Sequence, residues 1–147
     1  MLFDENGYIK PYEIINTDID TFKKTFVFNE HRANIFQSYL ELIEILKNLP
    51  CGQFYQWLDG SFVSKKSFPN DLDLVNFIDW QVYRKFENRI RDIESDCRWK
   101  SLDVYTIPVY PDTDFKKYIT IYGKSEKQDL YGSDRLGRPK GIIQLNF

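Results

Sequence analysis

The sequence predicts an α/β (α+β) fold, in which helices flank a mixed β-sheet, on three observations. Amphipathic stretches alternate along the 147-residue chain with short apolar stretches typical of strands. Their order, α-β-β-α-β-α-β, is typical of helices packed on a sheet with parallel and antiparallel neighbours. Hydrophobic residues form 42% of the chain and aromatic residues 17%, which is enough to build the core of a single domain over residues 1–147.

The N-terminal region predicts an arm rather than a regular element. Short apolar pieces over residues 1–28 are separated by Gly7, Pro11 and Asn16, so we expect irregular structure with one short helix near Asp18–Lys24.

A long helix and a strand follow the arm. The stretch Glu30–Leu49 has apolar residues three and four positions apart, and Pro50 ends it, so it predicts an amphipathic helix. The aromatic stretch Phe54–Leu58 predicts a strand, which Asp59–Ser61 turns. The predicted buried face of the helix consists of Phe36, Tyr39, Leu40, Ile43, Leu46 and Leu49.

The second half of the chain predicts three strands and two helices. Alternation over Asp71–Ile78 and Leu102–Ile107 predicts strands, and the apolar spacing over Trp80–Glu94 predicts a helix between them. A second helix is expected over Asp112–Lys127, and a last strand over Gly141–Leu145. Asp112 is the expected cap of that second helix, with a buried stripe of Phe115, Tyr118, Ile119 and Tyr122.

Composition excludes several classes of function. The 20 basic and 22 acidic residues give a net charge of −2, so no overall field attracts nucleic acid or an anionic membrane. Cys51 and Cys97 lack metal or redox spacing and predict reduced thiols. The single histidine, His31, excludes sites built from several imidazoles and is expected to have a structural place at a helix start. Since no apolar run approaches 18 residues and acids follow Met1, we expect a cytoplasmic protein.

Two carboxylates of one predicted strand share a face. Side chains alternate along a strand, so Asp71 and Asp73 point the same way, while Leu72 and Leu74 enter the core. A divalent cation or free access of water stabilises such a pair. The acid-x-acid pattern alone is weak, because it also occurs at two other places, Asp18–Asp20 and Asp112–Asp114.

The context of Asp71 and Asp73 distinguishes them from the other acids. A Gly60–Ser61 turn and a nine-residue spacer precede them, and Asp103 stands between apolar residues on the next predicted strand. The strings Trp57–Ser61, Asp71–Leu74 and Leu102–Val104 resemble the signature of the DNA polymerase beta-like nucleotidyltransferase superfamily. Together with Phe62–Val63, Pro69–Asn70 and Lys140–Ile143, they resemble a group of small, poorly characterised prokaryotic proteins within it.

The resemblance implies a nucleotidyltransferase-like fold and a minimal enzyme that moves a nucleoside monophosphate from an NTP to a hydroxyl. It implies that Asp71, Asp73 and Asp103 are catalytic and bind two Mg²⁺ ions. Glycine and serine in a turn suit phosphate, and nearby basic side chains could balance its charge. We expect Arg138 or Lys140 to approach the turn. The candidate nucleotide-binding residues are Gly60, Ser61, Lys65, Lys66, Arg138 and Lys140.

Other interpretations of these residues remain open. The turn, the spacer lysines and the basic segment Ser133–Lys140 also fit ordinary solvated loops, and the acids fit solvated strand ends. The chain also fits a non-catalytic nucleotide- or partner-binding module, antitoxin-like or regulatory, on the same fold. The acceptor could be protein, RNA or a small molecule, recognised with or without a protein partner. Two enzyme classes are excluded. In a haloacid dehalogenase-type phosphatase the paired acids follow an apolar strand, whereas here the apolar residues come after Asp71. A serine-hydrolase turn needs glycine two residues after the serine, where this chain has Val63.

Overall fold

The computed structural model describes residues 1–50 and 52–147, and in these ranges it contains five helices and seven strands. In chain order they are β1 (Leu2–Phe3), β2 (Ile9–Lys10), β3 (Ile14–Thr17), α1 (Ile19–Phe26), α2 (Glu30–Lys47), β4 (Tyr55–Asp59), β5 (Leu72–Asp79), α3 (Trp80–Lys85), α4 (Glu87–Glu94), β6 (Leu102–Val109), α5 (Lys117–Tyr131) and β7 (Ile142–Asn146).

Five of these strands form one mixed sheet in the order β3-β7-β4-β5-β6. The pairs β3/β7 and β5/β6 are parallel, whereas β4 is antiparallel to both of its neighbours. β1 and β2 form a separate antiparallel pair near the N-terminus. The predicted α+β class with a mixed sheet is therefore confirmed.

Each face of the sheet is covered by a different part of the chain, because successive side chains of a strand point to opposite faces. On β5, Leu72 and Leu74 join the larger core cluster, which also contains the buried side chains of α1 and α2. Val75 and Phe77 join a second cluster, to which α5 contributes Tyr131. The second cluster lies on the same face of β5 as Asp73, which stands near the start of that strand.

The predicted long helix is observed as α2, and its first turn is capped by the Asn29 side chain. His31 lies in that turn, with Nε2 2.6 Å from the carbonyl oxygen of Pro69, in agreement with its expected structural place. The four predicted strands are observed as β4, β5, β6 and β7. Cys97 is an exposed free thiol, and Cys51 lies outside the described residues.

Two predictions, on the N-terminal arm and on the helix after β5, need correction. The N-terminal arm contains the predicted helix, α1, but also β3, which extends the sheet by pairing in parallel with β7. The helix predicted over Trp80–Glu94 is divided into α3 and α4 at Phe86, whose backbone angles (φ −115°, ψ 21°) depart from helical values.

The helix predicted over Asp112–Lys127 begins later and buries a different face. It starts at Lys117, and Asp114 rather than Asp112 accepts a backbone hydrogen bond, from Lys116, before it. Small residues allow this helix to approach the sheet closely: Thr120 donates to the Pro108 carbonyl, and a Cβ at Gly123 would meet Ile107 at 3.0 Å. The predicted stripe is therefore wrong, since Ile119 is only partly buried and the other members are 82%, 63% and 70% exposed: Phe115, Tyr118 and Tyr122.

No helix within residues 1–50 and 52–147 is long and apolar enough to span a membrane.

Candidate functional site

Three carboxylates converge at one end of the sheet. Asp71 directly precedes β5, Asp73 is the second residue of β5 and Asp103 is the second residue of β6. Asp73 and Asp103 are cross-strand partners. Each of the three residues has a carboxylate oxygen within 4.8 Å of those of the other two. The convergence expected from strand alternation is thus confirmed.

Burial and neighbouring charges make the ionisation of Asp71 and Asp73 unfavourable. Burial, followed by the charges of Asp71 and Asp103, raises the pKa of Asp73 from 3.8 to about 6. Burial and the charge of Asp103 also raise the pKa of Asp71, while Lys66 lowers it by a smaller effect. Carboxylates held this close favour either a shared proton or a bound cation.

The turn after β4 lies directly against this acid cluster. Gly60 has a φ of +79°, a region that L side chains rarely adopt. A Cβ at this position would overlap the carboxylate of Asp73, lying 2.9 Å from its Cγ. Only glycine therefore fits between the Gly60–Ser61 turn and the acid, and its backbone stays open to a close ligand.

A buried arginine fixes the segment that follows this turn. Arg32 of α2 is 0% exposed, and burial lowers its pKa to about 10, so it keeps its charge at neutral pH. The rings of Phe28 and Phe62 lie 4.3 and 4.7 Å from its Cζ. Its guanidinium donates hydrogen bonds of 2.7–3.4 Å to the carbonyl oxygens of Phe26, Ser61, Phe62, Ser64 and Lys66.

A cleft of about 1190 Å³ opens over the turn and over Asp71 and Asp73. Its basic lining residues include Lys65, Lys66 and Lys140. The N-terminal hairpin closes one side, where the amide of Lys65 donates to the carbonyl of Gly7 at 2.9 Å. The cleft is thus lined by positive side chains as well as by carboxylates.

Lys140 is held by Asp59, the residue before the glycine of the turn. Its Nζ lies 3.2 Å from Asp59 Oδ2, and the two side chains are only 9% and 1% exposed. Burial raises the pKa of Asp59 to about 7, although Lys140 acts in the opposite direction. Asp59 is also the cross-strand partner of Asp73, which in turn pairs with Asp103. Three acids therefore form a row across β4, β5 and β6.

The structure brings Lys140 but not Arg138 to the turn. Arg138 does not line the cleft; its Nε pairs with Asp134 at 2.6 Å, and its Nη1 donates to Asn6 at 3.2 Å. Tyr8 also donates to Asp134, at 2.8 Å. Of the two side chains expected at the turn, Arg138 or Lys140, it is therefore Lys140 that lies there, whereas Arg138 joins the loop before β7 to the N-terminal hairpin.

Sequence reasoning missed three residues around the cleft. Asp59 could have been found from strand alternation, because this places its side chain on the same face as the apolar Trp57, where burial is expected. Arg32 carries no such signal, because its buried partners are loop carbonyls distant in sequence. Tyr131, 6% exposed at the end of α5, lines the cleft and lay outside the predicted helix.

Comparison with known proteins adds one relationship. A protein-family model matches residues 1–146, which is nearly the whole chain. The chain belongs to the DUF6932 family. That family is described as one of unknown function. No curated protein and no solved structure matches the chain. The functional assignment of this DUF6932 member therefore depends on the site itself.

Proposed function

We propose that the chain is a Mg²⁺-dependent nucleotidyltransferase, which moves a nucleoside monophosphate from an NTP to an acceptor hydroxyl. The observation that carries the proposal is the convergence of Asp71, Asp73 and Asp103 beside the Gly60–Ser61 turn, at a cleft that basic side chains also line. The likeness of these motifs to the DNA polymerase beta-like superfamily supports it. We place the enzyme in the cytoplasm, where NTPs and Mg²⁺ are abundant.

The donor atoms of the site suit magnesium. Asp71, Asp73 and Asp103 offer carboxylate oxygens, and Mg²⁺ prefers carboxylate and phosphate oxygens to imidazole or thiolate. Burial, and after it the charges of neighbouring acids, raise the pKa values of Asp71 and Asp73, and a bound cation would offset both effects. Two Mg²⁺ ions held by these residues would neutralise the reacting phosphates and favour in-line displacement.

The other residues of the cleft suit the triphosphate. Gly60 lets backbone N–H groups approach phosphate oxygens, and the Ser61 hydroxyl provides a further donor. Lys65, Lys66 and Lys140 line the same cleft and would balance the remaining negative charge.

The transfer step uses the exposed edge of the acid cluster. The acceptor hydroxyl would attack the α-phosphorus, and the bond from that phosphorus to the bridging oxygen of pyrophosphate would break. Pyrophosphate leaves with the electrons of that bond. The proton of the hydroxyl would pass to the carboxylate of Asp103, which is exposed and therefore accessible to the acceptor.

Transfer from labelled nucleotides tests this proposal. The purified protein is incubated with each α-³²P-labelled NTP and Mg²⁺, with and without cell extract, and label is sought in protein, RNA and small molecules. Asp103→Asn should abolish the labelling. Asp112→Asn, an exposed acid in a second acid-x-acid pattern, is the matched control and should retain it. Labelling that survives Asp103→Asn would mean that the transfer does not depend on this acid cluster and would overturn the proposal. A wild-type protein that binds nucleotide and labels nothing would favour the non-catalytic module.

A further inference from the structure

Two buried polar atoms at the floor of the cleft have no hydrogen-bond partner. They are Oδ1 of Asp59 and the hydroxyl of Tyr131, and both residues line the cleft. Asp59 is 1% exposed and Tyr131 is 6% exposed. Within residues 1–50 and 52–147, the third such atom is Nε1 of Trp99, which does not line the cleft.

The two residues line the same cleft as Asp71 and Asp73. Asp59 directly precedes Gly60 and is the cross-strand partner of Asp73. The charges of Asp73 and Asp59, acting after burial, both raise the pKa of the Tyr131 hydroxyl. A buried polar group without a partner lowers stability, so native proteins rarely leave such a group without a hydrogen bond.

The chemistry of these atoms restricts what can pair with them. Ionised in its pair with Lys140, Asp59 offers Oδ1 as an acceptor that needs a donor, and the Tyr131 hydroxyl can donate or accept. A phosphate oxygen would meet a like charge at Asp59, and a cation would meet the ammonium of Lys140, which already pairs with Oδ2 of Asp59. A neutral hydroxyl, which donates and accepts at once, satisfies both atoms.

We propose that Asp59 and Tyr131 form a subsite for the ribose hydroxyls of the nucleotide, and that the protein selects ribonucleotides over deoxyribonucleotides. One hydroxyl donates to Oδ1 of Asp59, and a hydroxyl of the same sugar accepts from Tyr131. This inference rests on the proposed nucleotide function, because phosphates held at the Gly60–Ser61 turn bring the sugar to the adjacent residue, Asp59.

Calorimetric titration with defined nucleotides tests the subsite. ATP, GTP, CTP and UTP, each with Mg²⁺, are titrated into wild-type protein, and the tightest is compared with its 2′-deoxy and 3′-deoxy forms. We expect at least one deoxy form to bind about 10- to 100-fold more weakly, the range for a lost hydrogen bond to a charged group.

Tyr131→Phe links the effect to the subsite. It removes a hydroxyl that has no partner in the protein, so the variant should fold with a melting temperature at or above that of the wild type. It should weaken binding of the parent ribonucleotide but not of a deoxy form that already binds weakly. Tyr122→Phe, 70% exposed on the same helix, is the matched control and should bind every nucleotide like the wild type.

The outcomes separate this inference from the proposed function. Equal affinity of the wild type for ribo and deoxy forms would overturn the subsite alone and indicate that water fills it. Equal weakening of ribo and deoxy binding by Tyr131→Phe would also overturn it, since a structural role predicts that result. A wild type that binds no nucleotide would overturn both.

Discussion

Replacing Arg32 with methionine is expected to lower the free energy of unfolding by about 3–5 kcal/mol, the range for breaking a buried charged network. Methionine keeps an unbranched side chain but removes every donor. The hydrogen bonds to Phe26, Phe62 and Ser64 are fully buried, and each acceptor left unpaired costs about 1–3 kcal/mol. The two remaining acceptors are partly exposed, so water can replace the guanidinium there. Removing a desolvated charge offsets part of the loss.

Urea unfolding followed by tryptophan fluorescence measures the Arg32 effect. At about 2–4 °C for each kcal/mol, the melting temperature should also fall by roughly 6–20 °C. Arg91→Met is the control. The Arg91 side chain is 67% exposed, and its one ion pair within the described residues is with Glu87, at 2.8 Å. Losing an exposed pair of this kind costs at most about 1 kcal/mol. A loss within about 1 kcal/mol for Arg32→Met, or equal losses in the two variants, would refute the reasoning.

Three further predictions concern the acid cluster and its surroundings. In urea unfolding, Gly60→Ala should lower the free energy of unfolding by about 1–3 kcal/mol more than Gly137→Ala. Both glycines have a positive φ (79° and 75°), but only a Cβ at residue 60 would meet the Asp73 carboxylate. Equal losses would mean that the carboxylate moves aside freely. The folded-state pKa of Asp73, about 6, exceeds its reference value of 3.8, so its carboxylate destabilises the metal-free fold increasingly as the pH rises from about 4 to about 6. Asp73→Asn should therefore gain stability relative to the wild type over that range in Mg²⁺-free unfolding, and a constant difference would contradict this. Lys140→Met should weaken Mg²⁺–ATP binding to the folded protein by about 1–3 kcal/mol in calorimetry, whereas Arg138→Met should not; the reverse order would place phosphate at the outer loop.

The sequence carried enough information to predict four of the five strands of the sheet and the cluster of Asp71, Asp73 and Asp103, because these depend on local patterns. The face shared by Asp71 and Asp73 follows from the two-residue period of a strand. Asp103 could be added because it stands between apolar residues on the next predicted strand. The helix α2 was equally predictable, since its apolar spacing, its cap and its terminal proline all agree.

The parts of the site that were missed depend on contacts between distant segments. Asp59 meets Asp73 only through the antiparallel pairing of β4 and β5, and Lys140 reaches Asp59 from β7's N-terminal end. Arg32 is buried because loop carbonyls surround it, which no helical pattern shows. The face of α5 was misassigned because close packing through Thr120 and its small neighbours outweighed the burial of larger apolar side chains.

Titration of nucleotide-free protein with Mn²⁺, followed by electron paramagnetic resonance, tests the central claim that the acid cluster is a metal site. Mn²⁺ shares the preference of Mg²⁺ for carboxylate oxygens and gives a signal that is lost when the ion is bound. We predict saturable binding in the wild type and in Asp112→Asn, and its loss in Asp73→Asn and Asp103→Asn. A wild type that binds no Mn²⁺, or cluster variants that bind it as the wild type does, would contradict the claim.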